Sequence, residues 1–225
     1  MTPMERRTPV NKSLGRPRDA SSTETRHDLL EVARRIFARD GYGATTNRSI
    51  AEEVGITTGA IYHYFPSKAD LFAAVYDQVQ TIVYDRFAVA AAAPGTLTER
   101  FGWVLDAAVD LNRSDSSLAG FVVTVPTEVQ RHPELADLVA ERQSRTAAFV
   151  AGLVADAVAN DEFHDGVEPA AVVDIIVVVI SGLATFSTVN GDPDRHAAAT
   201  RALRRFLDGA LVRRAAPREA DERRT

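Results

Sequence analysis

Apolar residues recur at helical spacing from the first part of the chain onward. Leu29, Leu30, Ala33, Ile36 and Phe37 would share one face of a helix. The Ser-Ser-Thr-Glu run at residues 21–24 has the form of a capping box, and the glycine at position 41 is a favourable C-cap. The pattern therefore predicts a first helix over residues 23–40 with one buried face.

Three more helices are predicted over the next fifty residues. Thr46 and Thr57 are N-cap candidates for two short helices over residues 47–54 and 58–64, separated by Gly55. Pro66 and the polar pair Ser67 and Asp70 start a fourth helix that ends near residues 93–95. At about 1.5 Å per residue it spans roughly 40 Å, long enough to connect two bodies. Its predicted buried residues are Leu71, Phe72, Val75, Tyr76, Val79, Ile82, Val83 and Phe87.

The rest of the chain keeps a helical texture, with breaks predicted near residues 112–117, Pro126, and residues 132–133, 161–166 and 191–193. The last two helices are expected over residues 168–190 and 193–213. The first of these is apolar on all sides, so it must be buried on several sides, which in a chain of this size suggests a subunit interface. A membrane span is disfavoured by Asp174 and the interspersed Ser and Thr residues, and a strand over residues 175–180 is disfavoured by the length of the run.

Composition limits the class of protein. The 225 residues suit one or two small domains, and 45% hydrophobic with 25% charged residues supports a substantial core. The chain contains no cysteine, which excludes a disulfide framework, a thiolate nucleophile and a zinc ribbon. Its basic start lacks an apolar segment, so we expect no secretory signal and a cytoplasmic protein.

The net charge of −5 argues at first against a nucleic-acid partner. Counting by segment changes this interpretation. Residues 1–18 carry five basic and one acidic group, a net charge of +4, and residues 1–75 carry 11 basic and 9 acidic groups. Residues 76–225 carry 15 basic and 22 acidic groups, a net charge of −7, so the acidic average describes the later part of the chain.

The two short helices have the form of a helix-turn-helix. Gly55 permits the sharp turn, Ala51 permits close approach, and the surrounding isoleucines form a small shared core. The second short helix would then be free to present its outer face to a major groove.

A longer motif extends this pattern. Its residues are Gly41-Tyr42-x-x-Thr45-Thr46-x-Arg48-x-Ile50-Ala51-x-x-x-Gly55-Ile56-Thr57-x-Gly59-x-Ile61-Tyr62-x-Tyr64-Phe65-x-Ser67-Lys68-x-x-Leu71. The string resembles the N-terminal domain of TetR-family transcriptional regulators, and the resemblance covers residues 23–71. It implies an all-α homodimer with a three-helix DNA-binding domain and a larger C-terminal domain that binds a small ligand and controls operator affinity.

The resemblance also implies roles for single residues. Arg48 would reach a guanine edge or a phosphate, the start of the second short helix would read base edges, and Tyr62 would contact a phosphate or a base methyl. The family often has histidine where Tyr64 stands, and here His63 is its neighbour. The predicted DNA-binding set is Thr46, Asn47, Arg48, Thr57, Thr58, Gly59, Ala60, Tyr62, His63, Tyr64 and Lys68. Arg34, Arg35 and Arg39 are expected to solvate the first helix.

In the same family the ligand cavity lies among the fourth to eighth helices and the dimer interface on the last two. The predicted ligand-binding residues are Tyr84, Phe87, Trp103, Phe121, Thr127, Glu128 and Phe149, with an apolar or amphipathic ligand as the expectation. The predicted interface residues are Val172, Ile176, Val179, Leu183, Phe186, Leu203, Phe206, Leu207 and Leu211.

The resulting division of the chain is a flexible basic arm (1–20), a helix-turn-helix domain (21–68), a ligand-binding and dimerisation domain (69–214) and a disordered tail (215–225). We expect a repressor that binds a palindromic double-stranded DNA operator as a homodimer and is released by a small-molecule effector, with no metal, cofactor, catalysis or membrane partner. An activator or a ligand-independent regulator of the same fold is the alternative. An enzyme using the cluster Asp161, Glu162, His164 and Asp165, or a module for protein contacts alone, is also open.

Overall fold

The computed structural model describes residues 18–207, with side chains described for residues 23–140 and 145–207. Most of the predicted basic arm, the predicted tail and Leu211 lie outside these residues. The described part is helical, without strands, which confirms the all-α class. Its elements are α1 (Arg18–Ala44), α2 (Asn47–Val54), α3 (Thr58–Tyr64), α4 (Lys68–Ala90), α5 (Leu97–Ser114), α6 (Ser116–Arg131), a 3₁₀ turn (Pro133–Leu135), α7 (Ala136–Ala159), α8 (Pro169–Asn190) and α9 (Pro193–Leu207).

Local capping sets the bounds of the two short helices, which match the prediction. The Thr46 hydroxyl accepts a hydrogen bond from the Ser49 N–H at 3.0 Å, and the Thr57 hydroxyl accepts one from the Ala60 N–H at 3.2 Å. Gly55 ends α2 with a φ of 80°, a left-handed conformation that glycine adopts without steric cost. The turn between α2 and α3 is therefore encoded by residues next to each other in the chain.

Other boundaries differ from the prediction. The first helix begins at Arg18 rather than residue 23, and after a kink at Gly41 (φ 77°) the chain forms one more helical turn to Ala44. The fourth helix ends at Ala90. Pro126 lies inside α6 and does not break it. Proline in a helix costs about 3 kcal/mol, and the buried residues Phe121, Val125 and Glu128 on either side hold α6 in place against that cost.

The side chains form two hydrophobic cores. The first, here called the head core, joins α1, α2, α3 and the first half of α4 to α6 and the start of α7. The Phe72 ring lies 5.1 Å from Phe37 and 5.0 Å from Phe121 between ring centroids. The second, here called the body core, joins the last turns of α4 to α5, α7 and α8. The helix-turn-helix thus shares its core with helices predicted to belong to the other domain.

Arg34 connects the two ends of the head core. Its side chain on α1 is buried, with 2% of its surface exposed, and pairs with Asp115, the N-cap of α6. Its Nε also donates to the Ser117 hydroxyl at 3.0 Å. The expectation that Arg34 solvates α1 is therefore wrong, because its guanidinium reaches a carboxylate about eighty residues away that the linear pattern does not place beside it. Arg35 and Arg39 are exposed as expected.

Candidate DNA-binding surface and ligand cavity

The outer face of α3 is polar and open to solvent. Thr57, Gly59, Tyr62 and His63 are exposed, Tyr62 at 53% of its surface, whereas Ile61 on the opposite side is fully buried in the head core. Thr58 and Ala60 are half-buried. A β-carbon placed on Gly59 would meet only the Thr57 hydroxyl, at 3.8 Å, so the start of α3 can approach another surface closely. Ile61 thus anchors α3 to the head core, and the opposite face of the helix is open to solvent.

Arg48 and Thr46 are both exposed at the start of α2. The Arg48 Nε donates to Glu52 Oε1 at 2.9 Å, one helical turn away, and this bond raises the pKa of Arg48. Both side chains are well exposed. Arg48 is therefore a permanent cation whose partner a phosphate or guanine edge can replace.

Two residues predicted to grip phosphates are directed into the protein. Asn47 is buried, and its position at the first turn of α2 packs it against the head. The Lys68 ammonium donates to the backbone oxygens of Tyr42 and Thr45 at 2.7 and 2.8 Å and lies 4.0 Å from the centroid of the Tyr42 ring. Burial lowers the pKa of Lys68, while Glu134 and Glu128 act in the opposite direction. Lys68 thus holds the segment that joins α1 to α2, because two orphan carbonyls at the end of α1 need donors.

Tyr64 and His63 are adjacent in the chain but differ in burial. Tyr64 is half-buried and lies against Phe65, with 6.5 Å between ring centroids, and His63 packs edge-on against Tyr64 at 5.3 Å. His63 is exposed. Of the pair, His63 is the side chain open to a phosphate.

A cavity lies between α4, α5, α6, α8 and the start of α9. The space open to the centre of a water molecule is about 100 Å³, and the walls are mainly Val, Leu, Ile and Ala side chains. Tyr84 and Phe87 line it, as predicted. Its other aromatic neighbour, Phe149, stands behind them, with ring centroids 5.6 Å from Tyr84 and 6.0 Å from Phe87.

Five of the seven predicted ligand-binding residues do not line this cavity. Phe149 is the first of them. Phe121 is fully buried in the head core, Thr127 is exposed, and Trp103 lies beside Gly95. Glu128 is buried at the other end of α6, where it faces Gly41 and its carboxylate lies 3.5 Å from His132. These residues were selected because they are large aromatics or polar residues. Neither property shows which side of a helix faces a cavity.

The cavity walls also include four polar residues that the prediction missed: Gln80 on α4, Asn112 on α5, Ser187 on α8 and His196 on α9. All four are buried. Gln80 could have been found, because it is a polar residue in an otherwise apolar face next to Val79. Among the described residues, no group of three His, Asp or Glu side chains is placed to hold a metal ion.

The outward face of α8 differs in register from the predicted interface. Ile176 is buried within its own subunit at 5% exposure, and Val172, Val179, Leu183 and Leu203 pack on the body core. The large apolar residues open to solvent are instead Ile175, Val178 and Val189, with Val178 at 62% exposure. Phe206 and Leu207, both predicted interface residues, are exposed, and Phe186 is half-buried beneath Arg195. An all-apolar helix gives no signal of which face its own subunit covers.

By length and hydropathy α8 could cross a bilayer, with a mean hydropathy of 2.2 over 18 residues and 11% of that stretch buried. The core helix of a soluble protein passes the same test. Length and hydropathy alone therefore do not distinguish a bilayer from a second subunit as the cover of this face.

Comparison with known proteins identifies both parts of the chain. Residues 29–75 match the family model for bacterial regulatory proteins of the tetR family, and residues 97–212 match the model for the C-terminal domain of BetI-type transcriptional repressors. The HTH-type transcriptional regulator UidR of Escherichia coli K12 is 25% identical over 194 residues, covering 86% of this chain and 95% of UidR. The HTH-type transcriptional repressor AcnR of Corynebacterium glutamicum is 45% identical over 53 residues, 24% of this chain and 28% of AcnR.

Solved structures show the same fold. FadR from Bacillus subtilis, in complex with stearoyl-CoA, superposes with a TM-score of 0.70 at 19% identity, covering 83% of this chain and 99% of FadR. Salmonella enterica GusR superposes with a TM-score of 0.65 at 24% identity, covering 89% and 99% of the two chains. With the helix-turn-helix, the helical body and matches over both, the chain belongs to the TetR family of helix-turn-helix transcriptional regulators.

Proposed function

We propose that this protein is a cytoplasmic, homodimeric repressor that binds a palindromic DNA operator and is released by a small molecule bound in the body core. The observation that carries the proposal is the polar, exposed face of α3 on a helix anchored by buried Ile61. The match of residues 97–212 to repressor C-terminal domains supports repression. The head core extends across residue 68, the predicted domain boundary. We therefore treat this boundary as a division of function, between DNA binding and ligand binding, and not as a structural division.

Base reading belongs to the exposed start of α3 and to Arg48. A guanidinium pairs bidentately with guanine O6 and N7, and Gly59 lets α3 come close to the groove floor. Thr46, Thr57 and His63 are exposed donors for backbone phosphates. Lys68 acts indirectly in this scheme, since its ammonium positions the start of α2.

A second subunit covers the outward face of α8. Positions 171, 175, 178, 182, 185 and 189 are all exposed and are spaced three or four residues apart, as in a seam between packed helices. Gly182 lies within this stripe, and a β-carbon there would meet open space, so two α8 helices can approach closely. With α9 from each subunit, they would form a four-helix bundle that sets the distance between the two heads.

The fourth helix couples the cavity to the heads. Its first half packs in the head core through Leu71, Phe72 and Val75, and its second half lines the cavity through Val83, Tyr84 and Phe87. A ligand that displaces the second half tilts the head and changes the spacing of the recognition helices from the separation of successive major grooves, roughly 34 to 36 Å. The ligand thus shifts the population away from the DNA-binding conformation.

Selection of bound fragments from the source genome, followed by fluorescence anisotropy with one selected fragment, tests the proposal. Arg48→Ala should weaken binding by about 5-fold to 100-fold, the value of one bidentate base contact. Arg86→Ala removes the same charge from an exposed site on α4, remote from α3, and should change binding little. Equal losses in the two variants, or selection of no sequence above random, would contradict the proposal. Sedimentation of the same samples should show a dimer.

A further inference from the structure

Resting on the proposed function, we infer the class of ligand that the cavity takes: an uncharged, compact, mainly apolar molecule that donates a hydrogen bond to Gln80 and hydrogen-bonds His196. Both residues line the cavity and each is only 3% exposed. Three properties of the cavity indicate this class of ligand: the absence of charged wall residues among those described, two unpaired polar atoms, and the small volume.

Charge excludes ionic ligands. Among the described residues that line the cavity, none is Asp, Glu, Lys or Arg. A buried carboxylate, phosphate or ammonium without a counter-charge loses several kcal/mol of hydration, which apolar walls do not return. His196 does not replace the missing cation, because burial lowers its pKa and keeps the imidazole neutral near pH 7. The preferred ligand is therefore neutral.

Two unpaired polar atoms favour a hydrogen-bonding ligand over a hydrocarbon. The Gln80 Oε1 and His196 Nδ1 atoms are buried and have no hydrogen-bond partner among the described residues. Burial raises the pKa of the neighbouring Tyr76 hydroxyl to about 12, and Gln80 acts in the opposite direction. A buried polar atom left unpaired costs about 1 to 3 kcal/mol, and a ligand that pairs with it recovers that cost.

Two of the polar wall residues are shared with a neighbouring pocket. Asn112 and Ser187 line both this cavity and a second one that reaches Gly191 and Pro193 at the exposed turn between α8 and α9. The Ser187 hydroxyl donates to the Ala184 oxygen at 2.8 Å, so it is already paired. A ligand entering beside this turn meets polar groups first and apolar walls behind them.

Size favours a compact molecule. The space of about 100 Å³ is smaller than the engineered apolar cavity of about 150 Å³ that accepts benzene. A ligand as large as benzene or larger must therefore displace the walls, and the second half of α4 is one of them.

Three probes with one carbon skeleton test the inference by calorimetry on the full chain: 4-ethylphenol, ethylbenzene and 4-ethylbenzoate at pH 7. We expect 4-ethylphenol to bind about 10-fold more tightly than ethylbenzene, the value of one recovered hydrogen bond. We expect 4-ethylbenzoate to bind more weakly than either. Tighter binding of the carboxylate, or equal binding of the phenol and the hydrocarbon, would overturn the inference.

Gln80→Leu should remove most of the preference for the phenol and raise the affinity for ethylbenzene. Gln78→Leu is the matched control, because Gln78 lies on the same helix, also carries an unpaired side-chain oxygen, and does not line the cavity. The control should keep the preference. His196→Leu provides a second variant should Gln80→Leu not fold, and the same loss is expected.

Parallel anisotropy measurements with the selected DNA fragment separate this inference from the proposed function. Loss of all three probes with DNA binding intact overturns the ligand class and leaves the regulator. A preference for the phenol without any DNA binding supports the ligand class and overturns the proposed regulator.

Discussion

The head core and the body core contain similar residues but differ in how completely they are filled. The head core is sealed by rings in mutual contact, with Phe37, Phe72 and Phe121 each fully buried. The body core surrounds a cavity and contains the unpaired polar atoms of Gln80 and His196. Close-packed interiors transmit displacement, whereas a cavity can be filled or collapse. Under the proposed function, this difference fits ligand binding in the body and transmission of the change through the head.

The fourth helix belongs to both cores and therefore connects the cavity to the head. Val79 is fully buried in the head core and also lines the cavity, so the two environments meet at one turn of α4. Arg34 and its partner Asp115 tie the head to α6, a second wall of the cavity. A change at the cavity therefore has two routes to the helix-turn-helix: along the backbone of α4, and through the ion pair that joins α6 to α1.

The largest effect is expected from opening the head core. Phe121→Ala should lower the free energy of unfolding by about 3 to 5 kcal/mol, because the ring is fully enclosed. Phe87→Ala, in the wall of the cavity, should cost at least ~1 kcal/mol less, since part of that ring already borders empty space. Denaturant titration of both variants checks this order, and equal costs would show that the two cores are equally filled.

The next largest effect is expected from the ion pair that joins α1 to the start of α6, a helix that also lines the cavity. Arg34→Ala should cost about 2 to 4 kcal/mol, less than a fully buried pair, because a third of the Asp115 side chain is exposed. Arg34→Met with Asp115→Ser should recover part of this loss, since no charge is then left unpaired and serine can still cap α6. Denaturant titration of the single and double variants measures the recovery. A double variant less stable than Arg34→Ala would contradict the assignment.

The smallest effect concerns pH and the body core. Burial lowers the pKa of His196, so the unfolded chain binds a proton more strongly than the folded one. The free energy of unfolding should therefore fall as the pH drops below ~6.5, with a slope from this residue of at most about 1.4 kcal/mol per pH unit.

Thermal or denaturant unfolding between pH 5 and 8 measures this slope. His196→Gln should flatten the profile, whereas the same change at exposed His164 should leave it unaltered. Identical profiles for the two variants would show that His196 titrates alike in the folded and unfolded chains.

The helix-turn-helix could be predicted almost residue by residue because its signals are local. Thr46 and Thr57 bond backbone N–H groups three residues on, and Gly55 sets the turn by its own φ. The exposure of Tyr62 and the burial of Ile61 follow from the helical period. The burial of Asn47 and the inward direction of Lys68 could not be predicted from their own helices, and the Lys68 ammonium bonds backbone oxygens of the segment that follows Gly41.

The body was predicted only in outline. Breaks at residues 112–117, 132–133, 161–166 and 191–193 agree with the structure, since they coincide with proline, glycine or clusters of polar residues. The break expected at Pro126 does not occur, because burial on both sides outweighs a local preference. The lining of the cavity could not be predicted, because it is assembled from five helices that are far apart in the chain. The outward face of α8 could not be predicted, because that helix is apolar on all sides.

The sequence alone determined the helical class, the bounds of α2 and α3, and the family to which the chain belongs, because caps, turns and a helix-turn-helix motif act over a few residues. The tertiary structure decided which apolar residues enclose a cavity, which face of α8 is open, and that Arg34 and Lys68 serve the fold. These depend on contacts between residues far apart in the chain, such as Arg34 with Asp115. The period of a single helix carries no information about such contacts.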